Sequence, residues 1–299
     1  MKKIAFAVMS SFVAGGVFAA PDWASVKPVK LTLFYPGQSS LEWVMDKAEH
    51  SAVPDIVNKG RTCAKCHLGD ANEVGDKIVK GQPAGNKKAS IEPKPIAGKA
   101  GFVPVQLQVA HDGSKIYFRL EWNSPKGGAP KQDNKNELKA TILFDGGGTV
   151  EGANLNGCWA TCHDDLRSMK TAKDDKKTKY IKDADLAGGK FYDLMQFKSG
   201  KGEKPVDGYV VDKRVMEGGK SLVKAEGKKE GDKWVVTFER ELAGKGTGDH
   251  TIAAGKMYNF GVAIHEDYSS ARYHYVSLGY QFALDEQGKE KNQINVVKQ

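Results

Sequence analysis

Residues 115–123, KIYFRLEWN, put Ile116, Phe118, Leu120 and Trp122 on one side of an extended chain and Tyr117, Arg119 and Glu121 on the other. Successive side chains of a β-strand point to opposite faces, so a period of two over this length marks a strand with one face in a core. The same pattern recurs outward from it. LKATILFD (138–145), DKWVVTFEREL (232–242), KMYNFGVAIHED (256–267) and RYHYVSLGYQFALD (272–285) read as further strands, as does VKLTLFYPG (29–37). Polar loops such as NSPKGGAPKQDNKNE (123–137) separate them. The set predicts a mainly β chain whose residues 101–290 form an antiparallel β-sandwich.

The first residues, MKKIAFAVMSSFVAGGVFAAPDW, hold two lysines, a short apolar run and small residues ending Val17-Phe18-Ala19. This is the layout of a cleaved export signal over 1–19, so the mature chain is expected in a bacterial periplasm, with no stable membrane insertion. The net charge of +8 falls to +6 without Lys2 and Lys3. Nearly all the cations are lysines, whereas nucleic-acid readers favour arginine forks; the excess therefore suits a solvated or partner-docking surface and argues against nucleic acid.

An exported chain with four cysteines suggests disulfides. Here, however, the cysteines form two tight pairs, each followed at once by histidine: Cys63-Ala64-Lys65-Cys66-His67 and Cys158-Trp159-Ala160-Thr161-Cys162-His163. The first is the C-x-x-C-H pattern of covalent haem attachment, in which both thiols join the porphyrin and the histidine becomes the proximal iron ligand. A short disulfide or half of a zinc site is the competing reading. The second pair has one residue more between its cysteines, which a looped backbone can absorb. Two haem c groups are expected, one in an N-terminal segment (20–100) and one in a helical or irregular insertion at about 152–200. Ser39 or Ser40 is expected to cap a short helix carrying Leu41, Val44, Met45 and Ala48 and leading to His50. Residues 78–101, without apolar periodicity, read as an exposed connection.

The strand pattern VQLQVAHDGSKIYFRLEW (105–122), the segment GCWATCHDDLRSM (157–169) and the run GVAIHEDY…ARYHYVSLGYQFAL (261–284) together resemble the haem-binding domain of the γ subunit of ethylbenzene dehydrogenase and related dimethylsulfoxide-reductase-type molybdoenzymes, in a c-type cytochrome version. The resemblance spans about residues 100–285. It implies a β-sandwich that holds haem at one end and transfers electrons. The dehydrogenase subunit holds a single b-type haem without thioether bonds, so its axial ligands and molybdenum partner do not carry over.

The ligand on the far side of each iron decides between electron transfer and substrate binding. His50 stands 17 residues before His67, far enough to wrap around a porphyrin edge. His265 lies on a strand face with Asn259, Gly261 and Ala263, whose small side chains leave room for a flat ring; His274 lies on the next strand. These two share the second distal position, His265 slightly ahead. Met45 reads as core and Met169 as packing at a haem edge, while His111 and His250 sit in turns and read as solvated. The whole describes a dihaem cytochrome passing single electrons from a quinol-oxidising donor to a terminal reductase or molybdoenzyme in anaerobic respiration. The rival is an enzyme, a dihaem peroxidase or small-oxyanion reductase, with an open iron beside Glu266 or Asp267.

Overall fold

The computed structural model of the chain describes residues 21–39, 44–82, 91–92, 94–125, 127–150, 152–157, 181 and 183–299. Cys158, Cys162, His163 and Met169 lie outside them, as do Ser40 and Leu41 and the expected export signal.

The strands are β1 (Val29–Phe34), β2 (Phe102–His111), β3 (Lys115–Asn123), β4 (Lys139–Asp145), β5 (Tyr192–Lys198), β6 (Val206–Val210), β7 (Arg214–Val215), β8 (Leu222–Glu230), β9 (Lys233–Glu241), β10 (Tyr258–His265), β11 (Tyr275–Val276), β12 (Tyr280–Leu284) and β13 (Gln293–Lys298). They form one sheet in the order β7-β6-β5-β4-β10-β11-β1-β2-β3-β9-β8. β12 and β13 bridge β10 to β2, so six strands close a ring. The sheet folds over on itself: Phe197 of β5 lies against Gly227 of β8, and Phe118 of β3 meets Phe282 of β12 edge-on with centroids 5.9 Å apart. Both layers bury their alternating residues in one core, with Ile116, Phe118, Leu120 and Trp122 facing Phe144, Phe260 and Phe282. The mainly β expectation holds. Pairing is antiparallel except at β13, which runs parallel to both β12 and β2.

The two layers differ on their outer sides. β9 alternates buried and part-exposed residues, as a strand with one wet face must. β4 and β10 are buried almost throughout, so further chain covers their outer face. Val150, Ala153 and Ile181 cover Leu143, Leu194 and Val210 on β4, β5 and β6. Farther along the same face, the segment around Cys63 and Ala64 packs with Phe34, Ala263, Val276 and Leu278.

Among the described residues, four short helices with both ends in view serve these covers. α1 (Val53–Lys59) begins with a proline in its first turn and stops at Gly60 in the left-handed region. α2 (Cys63–His67) is started by Thr62, whose hydroxyl accepts from Lys65 N. α3 (Ala71–Val79) packs on β1 and β2, and a Cβ at its Gly75 would lie 2.0 Å from Gly101 O. α4 is Ala153–Asn156.

Three expectations are corrected. The helix expected before His50 does not run on to it: Val44 is helical, residues 45–52 form turns and residues 40–43 lie outside the described ones, while Ser39 Oγ donates to Pro36 O at 2.6 Å. Residues 78–101 are not simply an exposed connection. Ile78 and Val79 end α3, and Ile91, Glu92 and Lys99 are buried, Glu92 by pairing with Arg272 and Tyr35. The segment expected to stay irregular to about 200 becomes β5 at Tyr192, inside the sheet.

Candidate functional site

α2 carries Cys63, Cys66 and His67 on a single turn and a half of helix, Cys63 buried and Cys66 exposed. Burial, then the neighbouring Cys66, pushes the Cys63 thiol up to about 12. His67 Nδ1 lies 3.0 Å from Asp70 Oδ1. Asp70 sits at the N-cap of α3 yet does not cap it with its side chain; the carboxylate serves His67 instead. That bond fixes the ring and leaves Nε2 as the donor nitrogen for a metal.

His50 faces this ring. The two imidazole centroids are 6.3 Å apart and tilted by 38°. Imidazoles bound on opposite sides of one iron through bonds of about 2 Å hold their centroids roughly 6 Å apart, so the pair fits an iron with a histidine on each face. Backbone turns hold His50 in place, its N–H donating to Asp46 O at 2.8 Å. Burial, then His67, lowers its pKa, which favours the neutral imidazole that ligation requires. Met45 packs into the apolar cluster beside Cys63 and Phe34, as the sequence suggested.

A cavity of about 710 Å³ opens on the outer face of β4, β5 and β10. Alternate residues line it, Thr141 and Leu143 from β4, Leu194 and Gln196 from β5, and Ala263 and His265 from β10, with His274 and Arg272 at one side. Of the face expected beside His265, Ala263 lines this cavity, whereas Asn259 and Gly261 do not. His265 Nε2 and His274 Nδ1 both lie 2.9 Å from the same carbonyl, Ala271 O. Their centroids are 5.0 Å apart. Two rings sharing one acceptor stand on one side of the hollow, as alternatives rather than as partners across an iron. His274 is almost fully buried, and its Nδ1–H donates to the carbonyl, which puts the ring's lone pair on Nε2.

The two regions adjoin. α2 packs against α4, which leads into the second cysteine motif, and Leu155 of α4 joins the cluster around Cys63. Gly157, the last residue before that motif, has φ +59°, and a Cβ there would lie 3.0 Å from Gly279 Cα and 3.1 Å from Phe260 O. Tyr192 Oη donates to Gly157 O at 3.3 Å. Ala263 belongs to the Cys63 cluster and also lines the cavity.

Other candidates stand elsewhere. His111 and His250 are buried rather than solvated: His111 Nε2 lies 3.0 Å from Asp285, and His250 stacks on Phe191 at 3.8 Å with Nε2 on Phe191 O. A turn in the sequence hid the core contact that each makes across the sheet. Glu266, proposed above as an acid–base group, turns inward to Trp122 and Ser124 and does not line the cavity. Sequence reading missed Asp70, Arg272 and Ala271 O, because none belongs to a motif. Among the described residues, no helix is long and apolar enough to cross a membrane.

The family model described as ethylbenzene dehydrogenase matches residues 20–222. Cytochrome c-552 of Stutzerimonas stutzeri is 47% identical over 284 residues, 94% of each chain. Cytochrome c-551 of Rhodocyclus tenuis is 33% identical over 281 residues, 94% of this chain and 100% of that one. Among solved structures, a family 9 carbohydrate-binding module from Caldicellulosiruptor kristjanssonii in complex with glucose matches at 8% identity and a TM-score of 0.32, over 70% of this chain and 78% of that one, a likeness too slight to build on.

Proposed function

The chain belongs to the ethylbenzene dehydrogenase family, and from that premise we propose that it is a periplasmic dihaem c-type cytochrome carrying single electrons in an anaerobic respiratory chain. Its relatives named cytochrome c, alike over nearly their whole length, support the electron-carrying role. The observation that carries the haem assignment is the facing pair His50 and His67 beside Cys63 and Cys66.

In this reading Cys63 and Cys66 hold the first haem by thioether bonds, His67 is its proximal ligand and His50 its distal one. Cys158, Cys162 and His163 hold the second, and the cavity wall supplies its distal ligand. The sequence set His265 slightly ahead of His274; the near-complete burial of the His274 ring beside the cavity now favours His274. Haem supplies a one-electron iron couple. Asp70 and Ala271 O would fix the histidines that hold it, Ala263, Leu143 and Leu194 would give its pocket an apolar wall, and a histidine on each side would leave no position for a substrate. Lysines on the outside steer brief docking to acidic redox partners, a quinol-oxidising donor on one side and a terminal reductase or molybdoenzyme on the other.

Electron paramagnetic resonance of the oxidised holoprotein, with its haem-to-protein ratio, tests this. Two haems and two low-spin signals are expected, with one signal turning high-spin in His50→Ala and the other in His274→Ala. A high-spin signal in the wild type would move the open-iron enzyme to the front, and a single haem would remove the second motif from the site. A low-spin spectrum retained in His274→Ala but lost in His265→Ala would exchange those two residues.

A further inference from the structure

On the side of the sheet away from the haem segments, three aspartates from separate strands and loops meet. One carboxylate oxygen from each of Asp193 (β5), Asp207 (β6) and Asp249 lies within 4.8 Å of the other two. The other oxygen of each carboxylate is hydrogen-bonded within the protein. Asp249 Oδ2 accepts from Ser221 Oγ at 2.8 Å and from the backbone N–H groups of Lys220, Lys245 and Gly246. Asp207 Oδ2 accepts from Leu222 N at 2.8 Å. Asp193 Oδ2 accepts from Arg240 Nη2 at 2.5 Å and His250 N at 2.9 Å.

The three Oδ1 atoms are buried, and none has a hydrogen-bond partner among the described residues. Asp193 is wholly buried, so its free oxygen cannot be satisfied by bulk water. Leaving such a group unpaired in a folded core is expensive, and setting three together multiplies the cost through repulsion. Burial and the neighbouring carboxylates accordingly raise the pKa of Asp193 to about 7 and that of Asp207 above the usual carboxylate range. Among the described residues Arg240 is the guanidinium that contacts the group, and it binds the far oxygen of Asp193. Three carboxylates against one guanidinium leave two negative charges in excess.

We propose that Asp193, Asp207 and Asp249 bind a calcium ion through their Oδ1 atoms. The donors are hard oxygens only, the charge excess matches a divalent cation, and oxygens within 4.8 Å of one another are all within reach of one ion bonded at roughly 2.4 Å, in the irregular oxygen shell that calcium accepts. Asp207 and Asp249 are half-buried, which leaves a side from which the ion enters and water completes its shell. The ion ties β5 and β6 to the 244–250 loop and, through Arg240, to β9 of the opposite layer. Its role is structural, separate from the haem ligands.

The test uses the haem-loaded full chain, passed over a chelating resin and then equilibrated with calcium. One equivalent of calcium by atomic emission is expected after desalting. EDTA should lower the thermal midpoint by roughly 5 °C, reversibly on adding calcium back, with the haem absorbance unchanged. Asp207→Asn should lose the bound calcium and the response to EDTA. A wild-type chain that retains no calcium and whose midpoint ignores both EDTA and millimolar calcium would overturn the site, leaving a proton shared among the carboxylates. Calcium retained by Asp207→Asn and by Asp249→Asn would overturn the assignment to these residues.

Discussion

Lys99 shows how a single side chain sets a pH dependence. It is buried, with its ammonium 3.9 Å from the ring centre of Tyr275 and 4.9 Å from that of Tyr35. Burial lowers its pKa to about 7, while Glu266 pulls the other way. The folded chain thus sheds this proton near pH 7, whereas the unfolded chain keeps it to about 10.5. Between those values the unfolded state binds more protons, so stability rises with pH, by at most roughly 4 kcal/mol from this group. Urea denaturation of the wild type from pH 7 to 10 should show the rise, and Lys99→Met should flatten it; parallel profiles would exclude Lys99 as its source. The burial of Tyr35 and Tyr275 raises both phenols, which keeps them neutral across the window. At this scale, residues inside motifs were legible in the sequence because their chemistry is carried by spacing. His50, singled out as the histidine preceding one, has its ring centre 6.3 Å from that of His67. His111 and His250 were not, because turn residues around them say nothing of the strands that pack over them.

Among the elements, β3 and β9 announced themselves through alternation and β4 and β10, buried on both sides, through their apolar runs, and all four fell where the pattern put them. β8 hid because Val223, Lys224, Glu226, Lys228 and Glu230 are exposed, so no apolar face marks it. β5 hid beside the insertion because it is buried on both sides. The helices run from four to nine residues, too short for a periodic stripe, and their positions follow from caps and from covering the outer face. Gly157 tests that covering. Gly157→Ala strains a left-handed backbone and presses against Gly279 and Phe260 O, and should cost about 1–3 kcal/mol in thermal or urea unfolding. Its haem-to-protein ratio should fall below the wild-type value. A ratio equal to wild type would show that the lead-in to the second motif tolerates displacement.

On the scale of the whole molecule, the Cys63–His67 helix and α4, which precedes the second cysteine motif, lie on one outer face, an arrangement that no local pattern reveals because residues near 63, 155, 263 and 276 meet there from across the chain. The lone parallel strand was equally illegible: register with β2 and β12 depends on how the sheet closes. That strand has a further consequence. β13 brings Gln299 to His111 O at 2.9 Å and its side chain to Ser25 Oγ at 2.7 Å, so the two ends of the described chain touch. Topologically the fold is a loop with a nick in it. Joining residue 299 to residue 21 through a short linker and opening the exposed turn at Lys201-Gly202 should therefore give a circular permutant with the same circular dichroism and visible absorbance as the parent. A permutant that fails to refold would mean that closing the barrel depends on the native order in which its strands emerge.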